Sequence, residues 1–481
     1  MKKIFKYTLA AITMAVSGNT LAQNPYSAYF MDGYAYGHEL NPAKDYDRNG
    51  YVGLFWGNFN FAVRGNLGLQ DIFYPNPNGK GLVTYLHPSL TTEKALSGFS
   101  KNNKLLSDIR MDIVSFGFHS KNSFQTFTIG LRANVGVNIP YGLFEMTKSL
   151  KNQNYDISDL GATAKAWMEM GWGYSRNIGD LVRVGGKLKL LLGGSYVNFN
   201  MDKLNLDLSS PEQWVATAEA SAELGIKSAT WGQTKATEYS DGYKETHPGA
   251  TTYESIDLDN IDVPSPGLGG MGLGIDLGAE VDLNKTQLVP GLTVSAAIND
   301  LGFIRWADVA TAKNTGDKQF KFNGFDNIKV KDGEGVEFED QSDDLSDQLS
   351  DLMGLQDAGT GSKITGLGAT LNIGAEYRLP MYQKLGFGLL STTRIQSQYS
   401  WNEERVSVNY HPAKWFEFGV NVGFGTLGSS FGWVFNLHPR GINIFLAGDH
   451  MLGKVSKQFI PLKSNADIAL GFNFPIGKSK K

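Results

Sequence analysis

The chain has 481 residues, of which 57 are glycine, 12% aromatic and only 19% charged, with a formal net charge of −4. Glycine is thus about 12% against the usual ~7%, and charge falls below the ~25% of ordinary soluble chains. Aromatics this dense exclude a disordered chain, a pI near 6.0 argues against general nucleic-acid binding, and no run reaches the ~18 apolar residues of a transmembrane helix.

Residues 1–22 read as a signal peptide. Lys2, Lys3 and Lys6 form a basic start, Tyr7 to Val16 an apolar stretch, and Thr20-Leu21-Ala22 places small residues at −3 and −1 of a cleavage site before Gln23. Its removal takes away three lysines and no acid, so the net charge moves from −4 to −7. There is no cysteine, hence no disulfide, no lipid-bearing cysteine and no thiolate metal site. Export to an outer membrane is the expectation. Residues 23–49 then form an N-terminal segment, and 50–481 one β-barrel.

Alternation carries that reading, because lipid-facing and lumen-facing side chains of a barrel strand alternate. From Phe127 to Ile139 every odd position is apolar, against Thr128, Arg132, Asn134 and Asn138. Leu160 to Tyr174 is apolar on even positions, with Lys165 and Glu169 opposite. Val182 to Leu192 opposes Arg183, Lys187 and Lys189, and Leu273 to Leu283 opposes Asp276, Glu280 and Asp282. Such strands exceed the ~5–6 residues of an average soluble strand and suffice to cross a bilayer when tilted. A soluble sandwich alternates too, but rarely with strand after strand of this length.

The fold class is all-β, a transmembrane antiparallel barrel with short helices and long loop inserts. Candidate strands are 58–69, 109–118, 124–139, 159–174, 181–199, 214–227, 268–283, 291–302, 364–379, 385–400, 413–425, 429–437, 441–450 and 465–476, about fourteen in all. An even number suits a bacterial barrel. With both ends periplasmic, however, inserts 228–267 and 303–363 would fall on the side where turns are short. Segment 214–227 is the weakest, since Ser210-Pro211-Glu212-Gln213 reads as a helix start. Tyr141 to Leu150 is predicted as a short helix at a barrel end. Asp332 to Asp351 reads as a solvated acidic loop, without the calcium-loop pattern.

Two catalytic-looking motifs are set aside. Gly267 to Gly272 matches G-x-G-x-x-G but leads into a strand rather than a helix. Gly428-Ser429-Ser430-Phe431-Gly432 matches G-x-S-x-G, yet Phe431, Trp433, Phe435 and Leu437 after it form a strand stripe. The histidines show no close pair at metal-ligand spacing, and His411-Pro412 and His438-Pro439 read as turn chemistry.

Several segments resemble an uncharacterised Bacteroidota outer-membrane barrel family, a domain of unknown function: His38 to Ala43 (HELNPA), Asn134 to Pro140 (NVGVNIP), Tyr155 to Gly161 (YDISDLG), Gly185 to Leu190 (GGKLKL), Asn299 to Trp306 (NDLGFIRW) and Ser430 to Asn436 (SFGWVFN). More distantly the chain is similar to FadL-type channels and to the type IX secretion barrel. FadL-type channels carry an N-terminal plug, and the resemblance implies that part for 23–49.

The expected function is a channel or uptake barrel for a small or amphipathic solute. The alternatives are a non-transporting barrel that anchors a secretion or surface-assembly complex, and a barrel-embedded lipid hydrolase. No enzyme activity, cofactor, metal or catalytic residue is assigned. Expected partners are outer-membrane lipid, the barrel-assembly machinery and a small-molecule solute, with no nucleic acid; the oligomeric state is open. The candidate lumen-lining residues are Arg64, Arg132, Lys165, Arg183, Lys187, Lys189, Asp276, Glu280, Asp282, Glu376 and Glu417. Basic residues dominate the early strands and acidic ones the later strands. The lumen charges should therefore either pair in a closed network or face each other across water.

Overall fold

The computed structural model describes residues 25–55, 57–77, 79–210, 213–238, 251–263, 267–286, 289–314, 319–322, 354–450 and 465–477. The segment 1–22 expected to be a signal peptide, Pro211 and Glu212, the acidic stretch 332–351 and the tail 478–481 lie outside the described residues.

Period-two patterning closes the chain into a 14-strand antiparallel β-barrel. Strand β1 comprises Gly50–Leu54 and Phe59–Gly65, β2 is Asn102–Ser120, β3 Ser123–Pro140, β4 Leu160–Ile178 and β5 Val182–Asp207. Strand β6 has two collinear pieces, Trp214–Leu224 and Gly270–Asp282; β7 is Leu292–Lys313; β8 is again two pieces, Gln356–Gly366 and Ala369–Arg378. The ring continues with β9 (Leu385–Ile395), β10 (Trp401–Ala413), β11 (Phe416–Gly425), β12 (Gly428–Leu437), β13 (Asn443–Gly448) and β14 (Ala466–Ile476). Strand β14 pairs back onto β1, so no edge is left open.

The strand number agrees with the sequence reading, but the division differs in two places. Segments 214–227 and 268–283 are one wall position: the first piece pairs with the outer half of β5 and the second with its inner half. Strand β10 was missing from the expected set. This removes the conflict over the inserts. The connection between β7 and β8, 314–355, now falls at the same end as the long connections 66–101 and 141–159. The opposite end carries the tight turns 121–122, 179–181 and 414–415. Long loops mark the extracellular end and short turns the periplasmic end. The insert of β6 leaves the wall part-way along the strand, and Thr230–Glu238 pairs there with Thr251–Asp262 as a hairpin.

Strands β2 to β5 run 18 to 26 residues, well beyond the ~9–11 that span a bilayer. Their extracellular ends stand clear of lipid, so apolar side chains on the outward face need protein cover. Leu105, Val137, Ile139 and Leu160 are buried there against Leu67, Phe99, Phe144 and Tyr155 from the long connections. The expected helix forms as Tyr141–Lys148 and buries Leu143, Phe144 and Met146 in this cover. Lower on the wall, Leu131, Trp172, Leu188, Leu273, Ile373, Leu389 and Phe424 are exposed as a lipid-facing band.

Candidate functional site: the barrel interior

The segment from Pro25 to Asn49 crosses the inside of the ring. It forms only the short 3-10 turns Tyr26–Ala28 and Gly37–Glu39, so its buried backbone groups need partners from the wall. Asp449 accepts from the Tyr26 and Ser27 amides, and Glu417 from those of Asp32 and Gly33. Asn299 and Asn372 both donate to the Leu40 carbonyl, at 2.8 and 3.1 Å. Asn443 donates to the Gly33 carbonyl. These partners come from β7, β8, β11 and β13 and the loop after β13, and further ties run to Arg110 of β2 and to Arg183 and Lys187 of β5. Only a chain inside the barrel can reach them. Its tyrosines form an aromatic core with wall residues Phe124, Trp401 and Phe445. Two of the sequence segments quoted above meet here. The Asn41-Pro42-Ala43 turn lies against Gly185 of β5 and Gly278 of β6, where a Cβ would collide with the Pro42 carbonyl and the Asn41 side chain.

A charged layer lies beside this turn. Glu39 contacts Lys187 at 2.5 Å and Arg110 at 2.8 Å. Lys189 reaches Asp276 and Asp300, each at 2.7 Å, and Glu169 at 3.7 Å. Arg132 bridges Glu169 at 3.0 Å and Asp300 at 2.8 Å, and Arg394 approaches Asp300 at 3.7 Å. Burial pushes the Glu39 carboxyl up, but Arg110 and Lys187 outweigh it and hold the group well below the usual carboxylate range. For neighbouring His38, burial is the larger effect and lowers its pKa to about 3, so the imidazole is neutral; its Nε2 lies 2.6 Å from the Tyr51 hydroxyl. The basic and acidic walls therefore meet in a paired network rather than facing each other across water.

The other candidate residues are paired as well, with one at the rim. Arg64 lies 3.8 Å from Asp467 and 4.6 Å over the Trp401 ring. Lys165 donates to the Gly366 carbonyl at 2.7 Å. Arg183 pairs with Asp45 at 3.1 Å, and Glu280 with Lys44 at 3.1 Å. Glu376 accepts from Arg378 at 2.9 Å. Asp282 sits at the periplasmic rim and caps the turn Leu283–Lys285.

Two hubs escaped the sequence reading. Glu39 lies outside any strand, so alternation says nothing about it. Asp300 occupies a bulge: with φ 60° it faces inward beside Asn299, and the register shifts opposite it. The signal was two adjacent polar residues, Asn299-Asp300, inside an alternating apolar strand. The fold also brings together His411 and His438, which sequence spacing kept apart. Their ring nitrogens lie 2.9 and 3.7 Å from the Glu417 carboxylate.

The two motifs set aside behave as wall. Gly267 to Gly272 leads into the second piece of β6. Ser430 points inward and donates to Glu403, not to His450, whose ring lies between Glu403 and Asp467. At the extracellular end the β9–β10 connection bends over the opening. Lys104 donates to the Gln398 carbonyl, and Gly136 lies under the Tyr399 ring. Two interior cavities, one beside His38 and Lys187 and one beside Arg64 and His450, measure about 10 Å³ each, room for a single water.

These features define a class: a closed, internally filled β-barrel of the outer-membrane type. The chain belongs to a family of unknown function (DUF5723), which matches residues 42–449. No curated protein matches the sequence. Among solved structures, it is similar to the toluene transporter TbuX of Ralstonia pickettii, with 9% identity over 95% of this chain and 100% of that one and a TM-score of 0.43. It is also similar to a FadL homologue of Pseudomonas aeruginosa, with 10% identity over 95% and 98% and a TM-score of 0.36. A third is the toluene transporter TodX of Pseudomonas putida, with 8% identity over 96% and 95% and a TM-score of 0.36.

Proposed function

We propose that the protein is a gated uptake barrel of the outer membrane for a small or amphipathic solute, with residues 25–49 as a removable plug. The carrying observation is topological. The segment adds no strand to the barrel, and every ladder of the ring closes without it. Its ties to the wall are side-chain hydrogen bonds, ion pairs and aromatic packing, none of them part of a strand ladder, so it can leave while the ladders of the wall stay intact. Arginine, lysine, carboxylate and amide groups lining the space behind it suit a wetted passage.

The test is single-channel recording of the refolded chain with and without residues 25–49. The full chain should conduct in brief openings, and the deletion should stay open. A second reading, a barrel that only anchors a surface assembly, draws on the filled interior. It requires a full chain that neither conducts nor swells solute-loaded liposomes.

A further inference from the structure

At the periplasmic rim, one residue of the plug meets three of the wall. Candidate ligand atoms of Asp32, His411 and Glu417 all lie within 4.8 Å of one another. His411 near the end of β10 places Nδ1 at 2.9 Å from Glu417 Oε1, and His438 just after β12 places Nε2 at 3.7 Å from Glu417 Oε2. Donors of a tetrahedral zinc site stand about 3.4 Å apart at the usual bond lengths, so small side-chain shifts suffice.

The second observation is His438 itself. It is 3% exposed, and neither ring nitrogen has a hydrogen-bond partner among the described residues. A buried imidazole normally satisfies at least one. Its ring lies against Gly33, where any Cβ would strike it. It therefore touches the plug next to Asp32 while facing the Glu417 carboxylate.

We propose that Asp32, His411, Glu417 and His438 form a divalent metal site of the zinc class, which fastens the plug to the periplasmic rim. Two imidazoles and two carboxylates are a donor set that suits zinc-class ions. Three ligands belong to the wall and one to the plug, so binding joins two parts that the sheet does not connect. Arg378 holds both Asp32 oxygens, at 2.7 and 3.1 Å, and bonds Glu376 at 2.9 Å, so a metal must draw one Asp32 oxygen, the one at 3.1 Å, away from the guanidinium. The fastening role rests on the gated-uptake reading; the metal site does not.

The test uses the untagged full chain, refolded, stripped with EDTA and titrated with Zn²⁺ by calorimetry. One zinc per chain is expected. His438→Ala and Asp32→Ala should each weaken binding by roughly tenfold or more, a loss at least as large as that on removing an outer-shell partner. His87→Ala, on a distant loop, should leave it unchanged. Heat-modifiable gel migration verifies that each variant is folded, and His438→Gln replaces His438→Ala if the latter is not. No stoichiometric zinc, or binding indifferent to both substitutions, overturns the site. In recordings, EDTA should raise the open time of the full chain and zinc should reverse it. If zinc binds as stated but leaves gating unchanged while deletion of 25–49 opens the barrel, the fastening role falls and the uptake reading stands. If zinc binds but the deletion does not conduct, the uptake reading falls and the metal site stands.

Discussion

Asp300, from a bulge, meets as many interior cations as Glu169 does from regular strand, three each. Its left-handed backbone, φ 60°, is uncommon outside glycine, and it turns the carboxylate toward Arg132, Lys189 and Arg394 at once. Asp300→Asn would leave those cations short of a buried partner, and we expect a loss of about 3–5 kcal/mol, read from urea unfolding in lipid vesicles. His38 acts in the opposite way, through a charge it does not carry. Unfolded, it takes up a proton below its ordinary value of 6.5; folded, it stays neutral down to about 3, chiefly because it is buried. Its stability contribution is thus whole above pH 6.5 and shrinks as pH falls toward 3, by about 1.4 kcal/mol per pH unit. His38→Gln should flatten that slope in melting curves taken from about pH 7 down to about pH 5. An unchanged slope would assign the acid sensitivity elsewhere.

Strands were legible where both faces keep their character from end to end. In β3 the outward odd positions and inward even positions hold from Phe127 to Asn138. Strand β10 hid because Asn402 and Glu404 stand on its outward face near the extracellular end, where Glu404 bonds to Ser391 and Asn402; the apolar stripe is kept from Val406 through Val408 to Tyr410 alone. The two pieces of β6 looked like two strands because alternation fixes a face and says nothing about partners. Only the ladder with β5 makes them one. Counting β6 twice and omitting β10 offset each other. The candidate site was legible only in part for the same reason: Arg132, Lys187 and Lys189 sit in alternating strand, whereas Glu39 sits in none and Asp300 in a bulge. The filled interior also changes what a substitution there should do. Arginine in place of outward Leu131, in the lipid-facing band, should cost about 2–4 kcal/mol. Asn134, across the strand, would be the cheaper site in an open lumen. But Asn134 is 5% exposed and donates to Asp108, so Asn134→Arg should cost about 1–3 kcal/mol through overpacking. An Asn134→Arg variant as stable as the parent in the same unfolding assay would mean that water, not protein, surrounds this position.

Across the whole molecule, plug and wall supply each other's counter-charges. Glu39 is buried at 4% exposure between Arg110 and Lys187, while Lys187 has a further carboxylate, Glu169, at 4.0 Å. A wall built around an empty, watery lumen would let each charge solvate itself, and removing one would matter little. A wall that closes on a charged insert makes every member depend on the others. The two cases separate in a double-mutant cycle. In the full chain, Lys187→Met takes from Glu39 its closest cation and should cost about 3–5 kcal/mol. In the chain without 25–49, Glu39 is gone, water reaches Lys187, and the same substitution should cost no more than about 1 kcal/mol. The difference is a coupling of at least about 2 kcal/mol, at the upper end for groups in one buried network. It would place the closed state's stability in the ion pairs between plug and wall, the contacts that a gate must exchange for water when it opens. Equal costs in the two backgrounds would mean that Lys187 supports the wall alone, and that the plug is held by its tyrosines and backbone hydrogen bonds.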